Sequence, residues 1–150
     1  MTKIALRPAE ETDALDLLSW RNDPATRAQS KNPEKIDEAS HLAWFRGKLA
    51  SPDSLILIAE IDGTKIGSVR FDCAGEQAFV SIALAPDWRG KGLGGTVLIR
   101  GIDRFRDYGW RGQVLADVHV DNAASQRIFE QAGFRKQSSK GGFDQMALIQ

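Results

Sequence analysis

Apolar positions along the chain switch between strand-like alternation and helical spacing, and each switch marks a change of element. Lys3-Ile-Ala-Leu-Arg-Pro8 predicts a short first strand, which Pro8 ends. From Glu10 to Asn22, Ala14, Leu17, Leu18 and Arg21 fall at helical spacing behind an acidic first turn that the helix dipole favours. Asp23-Pro24 breaks that helix. The polar stretch from Ala25 to Lys35 lacks periodicity and contains Pro33, which predicts a loop. Asp37 then caps a second helix, with Leu42, Phe45 and Leu49 on one stripe and His41, Trp44 and Lys48 on a neighbouring stripe that can face a pocket.

The middle of the chain reads as a meander. Ser54-Leu-Ile-Leu-Ile-Ala-Glu-Ile61 is rich in strand formers, and Asp62-Gly63 is a two-residue hairpin turn into the strand Thr64–Asp72. A turn at Cys73-Ala-Gly75 leads to a third strand, Gln77 to Ala85, which Pro86 stops. Leu93, Val97, Leu98, Ile102 and Phe105 then mark an amphipathic helix closed by Tyr108-Gly109. Val114–Val120 is a further strand, Asn122 to Gly133 a short helix with a capping Asn and a C-terminal Gly, and Lys140-Gly-Gly142 the turn of a last hairpin ending in Met146-Ala-Leu-Ile149. This order predicts a single mixed α/β domain over residues 1–150, with a mostly antiparallel sheet and helices on both faces.

The most informative stretch joins the third strand to the helix after it. In Arg89-Gly-Lys-Gly-Leu-Gly-Gly95, glycines let the backbone approach a ligand while N–H groups converge at a helix start, which makes an anion site suited to a phosphate or pyrophosphate. Arg89 and Lys91 add positive charge. The stretch lacks the Gly-Lys-[Ser/Thr] ending of a Walker loop and the acidic residue of a dinucleotide fold. It resembles the coenzyme A loop of the GNAT superfamily of N-acetyltransferases, Arg/Gln-x-x-Gly-x-Gly/Ala, met by Arg89, Gly92 and Gly94. A second stretch, from Asn122 through Ser125, Ile128 and Phe129 to Gly133-Phe134, is similar to the Asn-x-x-Ala/Ser-x-x-Leu/Ile-Tyr/Phe-x-x-x-Gly-Phe signature of the same superfamily.

The resemblance covers roughly the whole chain and implies direct attack of an amine on the thioester of acetyl-CoA. It places the pyrophosphate on the N–H groups of Lys91, Gly92, Leu93, Gly94 and Gly95, with Arg89 and Gly90 also in the coenzyme-binding loop, and the pantetheine beside Ile82, Leu84 and Ala85, in a wedge where two parallel strands splay apart. Asn122 and Ser125 line the far side of that slot, and Phe129 packs against the coenzyme or the core. Many members carry a tyrosine acid where this chain has Phe129, which has no proton to give. No carboxylate lies between Gln77 and Ala85, so the base is sought at Asp117, at His119 on the same strand face, and at His41.

Trp20-Arg-Asn, Arg27 and His41-x-x-Trp44-Phe45 resemble the branch of the superfamily that acetylates the 4-amino group of nucleotide-activated amino sugars. Trp20, Arg21, Asn22, Arg27, His41 and Trp44 are therefore the candidate acceptor residues: guanidinium forks suit a diphosphate and flat rings suit a base or sugar. A protein or other small-molecule amine acetyltransferase and a silent acyl-CoA-binding module are the competing readings. The chain carries 20 Lys and Arg against 20 Asp and Glu, so its overall charge argues for neither nucleic acid nor an anionic membrane. One cysteine, Cys73, and two scattered histidines point to no disulfide and no metal site. Without a leader-like start or an apolar run near ~20 residues, the expected setting is the cytoplasm. Monomer and homodimer are both compatible with it.

Overall fold

The computed structural model describes residues 3–149; residues 1, 2 and 150 of the predicted span lie outside them. The elements are β1 (Ala5–Pro8), α1 (Ala14–Asn22), α2 (Pro24–Ala28), α3 (Glu38–Ala50), β2 (Ser54–Ile61), β3 (Thr64–Ala74), β4 (Gln77–Leu84), α4 (Gly94–Asp107), β5 (Gln113–His119), α5 (Ala123–Gln131), β6 (Phe134–Lys140) and β7 (Phe143–Leu148). They form a mixed α/β fold around a seven-stranded sheet in the order β1-β2-β3-β4-β5-β7-β6. Every neighbouring pair is antiparallel except β4 and β5, which run parallel.

Strand alternation sorts the side chains between two faces. On β3, Val69 and Phe71 point into the main core with Val97, Leu98, Ile102 and Phe105 of α4, whereas Ser68, Arg70 and Asp72 take the opposite face. Phe71 stacks on Phe105 at 4.1 Å between ring centres. α4 lies so close to β3 that a Cβ at Gly101 would stand 3.1 Å from both methyls of Val69. A larger residue there lifts the helix off the sheet. Each fully buried core side chain contributes about 2 kcal/mol, so Phe71→Ala costs roughly 3–5 kcal/mol. The opposite face has a smaller core of Ala14, Phe45 and Ile56, flanked by Leu17, Leu42 and Leu49, on which α1 and α3 rest.

Two details differ from the sequence reading. Residues 24–28 form the helix α2 and not a loop, because the Asp23 side chain accepts from the Ala25 N–H and Pro24 occupies the first helical position, where its missing N–H costs nothing. Cys73 and Ala74 extend β3, paired with Ala78 and Gln77, so the turn falls at Gly75-Glu76. No helix among the described residues is long and apolar enough to cross a membrane.

Candidate functional site

β4 and β5 pair only from Gln77–Phe79 to Gln113–Leu115. Beyond that point β4 keeps its pairing with β3 as far as Leu84, and β5 keeps its pairing with β7 as far as His119. Each strand is thus held by its outer neighbour while the two inner edges part, leaving main-chain N–H and C=O groups facing one another across a gap. Such an edge accepts an extended, amide-bearing chain as though it were another strand. Ile82 and Leu84 are partly buried on the α4 side of the gap, and Ala85 is buried at its end, with its N–H on the Ile66 carbonyl at 2.8 Å.

A turn of 3₁₀ helix at Pro86–Trp88 leads into the glycine stretch, where Gly90 and Gly92 take φ of 72° and 74°, a region that L side chains seldom adopt. α4 starts at Gly94, and its first main-chain bond runs from the Val97 N–H to the Leu93 carbonyl at 3.0 Å. The amides of Gly94, Gly95 and Thr96 precede that bond. Leu93 supplies no side-chain cap, so these donors lie without a capping partner from it at the positive end of a 14-residue helix. That cradle fits a phosphate group.

Arg89 has a different role from the one its charge suggests. Its guanidinium forks onto Asp23 Oδ2 at 2.8 Å and Thr26 Oγ1 at 2.7 Å, so it ties the glycine stretch to the start of α2. The same contact holds the Asp23 carboxyl below its ordinary range. Lys91 is exposed and has no ion-pair partner among the described residues. Phe129 packs in the core, 4% exposed and edge-on to Phe134, rather than against the coenzyme slot, the second of the two placements that the sequence leaves open. Asn122 caps α5 by accepting the Ser125 N–H at 3.0 Å.

The α1–α3 side of the gap gathers groups from distant segments. Asp117 and His119 project from alternate positions of β5. Asp117 Oδ2 meets Lys31 Nζ at 2.5 Å. His119 Nδ1 accepts the Asp121 N–H at 3.1 Å, which places the proton of the neutral ring on Nε2. That geometry counts against His119 as a base, because its free lone pair is already taken. His41 is removed further still. It is 3% exposed, its Nε2 donates to the Ala14 carbonyl at 2.8 Å, and its ring stacks on Phe45. Burial pushes its imidazole below the ordinary value. It is a core histidine, with no path to an incoming amine.

The acceptor candidates divide in the same way. Asn22 clamps the chain at Ile36 by two 2.8 Å bonds, one to its carbonyl and one from its N–H, which makes it a fastener. Trp20 is buried and lines a cleft of about 600 Å³ between α1 and the end of β4. Arg21 and Arg27 are half-buried and not fully partnered. Arg21 Nη2 donates to the Asn32 carbonyl, but Arg21 Nη1 and Arg27 Nε are buried with no partner among the described residues. Burial, Arg70 and Arg27 together push the Arg21 guanidinium below its ordinary value. Arg70 belongs to this cationic group, and its guanidinium carbon lies 5.0 Å from the centre of the Trp44 ring.

The sequence pattern of the acetyltransferase (GNAT) domain family matches residues 3–135. The chain belongs to the GNAT family. It is similar to the L-amino acid N-acyltransferase MnaT of Escherichia coli (strain K12), 30% identical over 109 residues that span 69% of this chain and 62% of MnaT. It is also similar to the mycothiol acetyltransferase of Clavibacter sepedonicus, 30% identical over 117 residues that span 73% of this chain and 36% of that protein. The matched region is thus less than two thirds of either relative's length. The solved structure of YncA from Salmonella typhimurium, with its cofactor acetyl-CoA, superposes with a TM-score of 0.80 at 25% identity, over 97% of this chain and 93% of that one.

Two residues beside this gap escape the sequence reading. Arg70 stands inside an apolar strand between Val69 and Phe71, and only the strand alternation betrays that it faces away from the core. Lys31 lies in the stretch without periodicity, and nothing local connects it with Asp117, 86 residues away.

Proposed function

We propose that the chain is an acetyl-CoA-dependent N-acetyltransferase whose acceptor is a small primary amine that also carries an anion. A nucleotide-linked 4-amino sugar is the acceptor that matches the arginines best. The observation that carries this reading is the group of Arg21, Arg27 and Arg70, with two buried N–H groups left unpartnered in a chain of zero net charge. Among the described residues Arg70 has a carboxylate partner, Asp72 at 2.9 Å, whereas Arg21 and Arg27 have none, and guanidiniums that repel one another in a half-buried place are costly unless an anion joins them. A diphosphate engages more than one fork at once.

Acetyl-CoA supplies the acetyl group as a thioester. The amides at the start of α4 fit its pyrophosphate, and the unpaired edges of β4 and β5 fit its amide-bearing arm. Asp117 is the group placed to draw the proton from the acceptor ammonium, since the Nδ1 of His119 and the whole of His41 are otherwise engaged. Amides on the open edge of β4 are placed to hold the developing oxyanion. Phe129 gives no proton, so the thiol is released as a thiolate, which a thiol pKa of roughly 8.5 permits.

A second reading takes the anion as the carboxylate of an L-amino acid, the acceptor class in the name of MnaT. One carboxylate engages one fork, and leaves more positive charge unanswered than a diphosphate does. Free thiol release from acetyl-CoA, followed over a panel of amines, tests the proposal. Amino-sugar nucleotides ahead of amino acids, and both ahead of spermidine or neutral amines, is the expected order. Preference for polyamines or peptides contradicts the anionic acceptor, and no turnover with any amine favours a binding module.

A further inference from the structure

Lys31 belongs to no motif, yet its Nζ lies 2.5 Å from Asp117 Oδ2 and 5.5 Å from the centre of the Phe143 ring. The segments beside it are fastened. Ser30 Oγ donates to the Thr26 carbonyl at 2.8 Å, the Asn32 carbonyl accepts from Arg21, and Asn22 clamps Ile36. Lys31 is therefore brought to β5 by a held segment, and its side chain is still 62% exposed. An ion pair so open to water adds little to stability. Its position is more telling, because Asp117 is the only carboxylate on β5 and is the proton acceptor in the function proposed above. An ammonium on that carboxylate stands where an acceptor amine has to stand.

We propose that Lys31 is an internal acceptor, which occupies the amine position and is acetylated by the chain's own chemistry. The inference rests on the transferase reading and on the role given there to Asp117. Asp117 takes a proton from Lys31 Nζ and passes it to solvent. The freed lone pair forms an N–C bond to the thioester carbonyl, the C–S bond breaks with its electron pair departing on the sulfur of coenzyme A, and the nitrogen gives up its second proton to that thiolate or to solvent. The product is a neutral amide that no longer pairs with Asp117. Until then, Lys31 competes with external amines for the carboxylate; afterwards the carboxylate is open to them.

The test is incubation of the full chain with acetyl-CoA and no acceptor, followed by intact mass and peptide mapping over time. The expected result is one acetyl group on Lys31, formed faster than on any other lysine and lost in Asp117→Asn and Gly95→Asp. Lys31→Arg keeps the charge beside Asp117 and should take no label at that position. By calorimetry without acetyl-CoA, Lys31→Ala should bind an anionic amine about two- to fivefold more tightly, the size set by loss of an exposed ion pair. Label spread evenly over the lysines, or persisting on Lys31 in Gly95→Asp, overturns the inference as simple chemical acetylation. A chain that acetylates free amines through Asp117 while Lys31 stays unmodified overturns it too, and leaves the transferase reading standing. If Asp117→Asn alters neither the label nor amine transfer, the role of Asp117 falls, and this inference with it.

Discussion

The start of α4 and the face under α1 and α2 are both suited to anions, but they are built from different material. At α4 the donors are main-chain amides of consecutive residues, Gly94, Gly95 and Thr96, placed by a helix that the core already holds through Val97 and Leu98. Under α1 and α2 the donors are guanidiniums of Arg21, Arg27 and Arg70, carried by two helices and a strand. Main-chain donors cannot be removed by a side-chain substitution, only obstructed. Side-chain donors can be removed one at a time, and each loss is graded. The first arrangement suits a ligand common to a whole family, and the second suits an acceptor that differs between relatives.

Obstruction should give the largest effect. A Cβ at Gly94 would stand 2.5 Å from Ile128 Cδ1, so a substitution there also disturbs α5, whereas at Gly95 the nearest atom is Gln131 Oε1 at 3.9 Å. Gly95→Asp puts a carboxylate in the first turn of α4, where the dipole tolerates it, and against any bound phosphate. Acetyl-CoA affinity by calorimetry should fall by about 100-fold or more, with the thermal midpoint nearly unchanged. Undiminished affinity in that folded variant removes the start of α4 as the phosphate site.

Proton transfer comes next. Asp117→Asn keeps the shape and loses the basic oxygen, so kcat should fall by about 100-fold, while His119→Gln should stay within a few-fold of the parent. The reverse order would restore His119 as the base.

Smaller effects belong to stability. The carboxyl of Asp13 is buried, yet Arg7 and Lys65 overcome that burial and hold it well below its ordinary 3.8. Its contribution is full above that value and is lost as the pH falls through and below it. His41 is depressed below 6.5 by burial, so the unfolded chain binds its proton first, and stability declines as the pH drops below 6.5. Urea unfolding should therefore weaken in two stages on acidification. His41→Gln should remove the upper stage, and Asp13→Asn should shrink the lower one, which Asp72 shares, at a cost of about 3 kcal/mol near neutral pH. An upper stage that survives His41→Gln, or a lower stage of undiminished size in Asp13→Asn, would contradict these assignments.

The same contrast explains what could be read from the amino-acid sequence. The meander, the long amphipathic helix and the glycine stretch depend on local patterning, and the strands of the sheet follow it closely. The splay depends on β4 and β5 each having an outer partner, which no local pattern records. His41, Trp44 and Lys48 do share one side of α3, but that side ends in three unlike settings. His41 is buried under α1, Trp44 lies against Arg70, and Lys48 meets Asp72 at 2.7 Å. Helical spacing reports a direction, and the neighbour that lies in that direction comes from another part of the chain. Arg89 shows the same thing, since its partners Asp23 and Thr26 are more than sixty residues earlier.

The separation of the two ends is tested most directly by steady-state kinetics of Arg27→Ala, with the acceptor and acetyl-CoA varied in turn. Among the described residues the Arg27 side chain makes no hydrogen bond or ion pair with the glycine stretch, which Arg89 ties to Thr26 instead, and loss of a charge-assisted hydrogen bond is worth about 1.5–3 kcal/mol. KM for an amino-sugar nucleotide should accordingly rise by about 10- to 100-fold, with KM for acetyl-CoA unchanged. A KM for acetyl-CoA that rises in step, or an acceptor KM that does not move, would contradict the account.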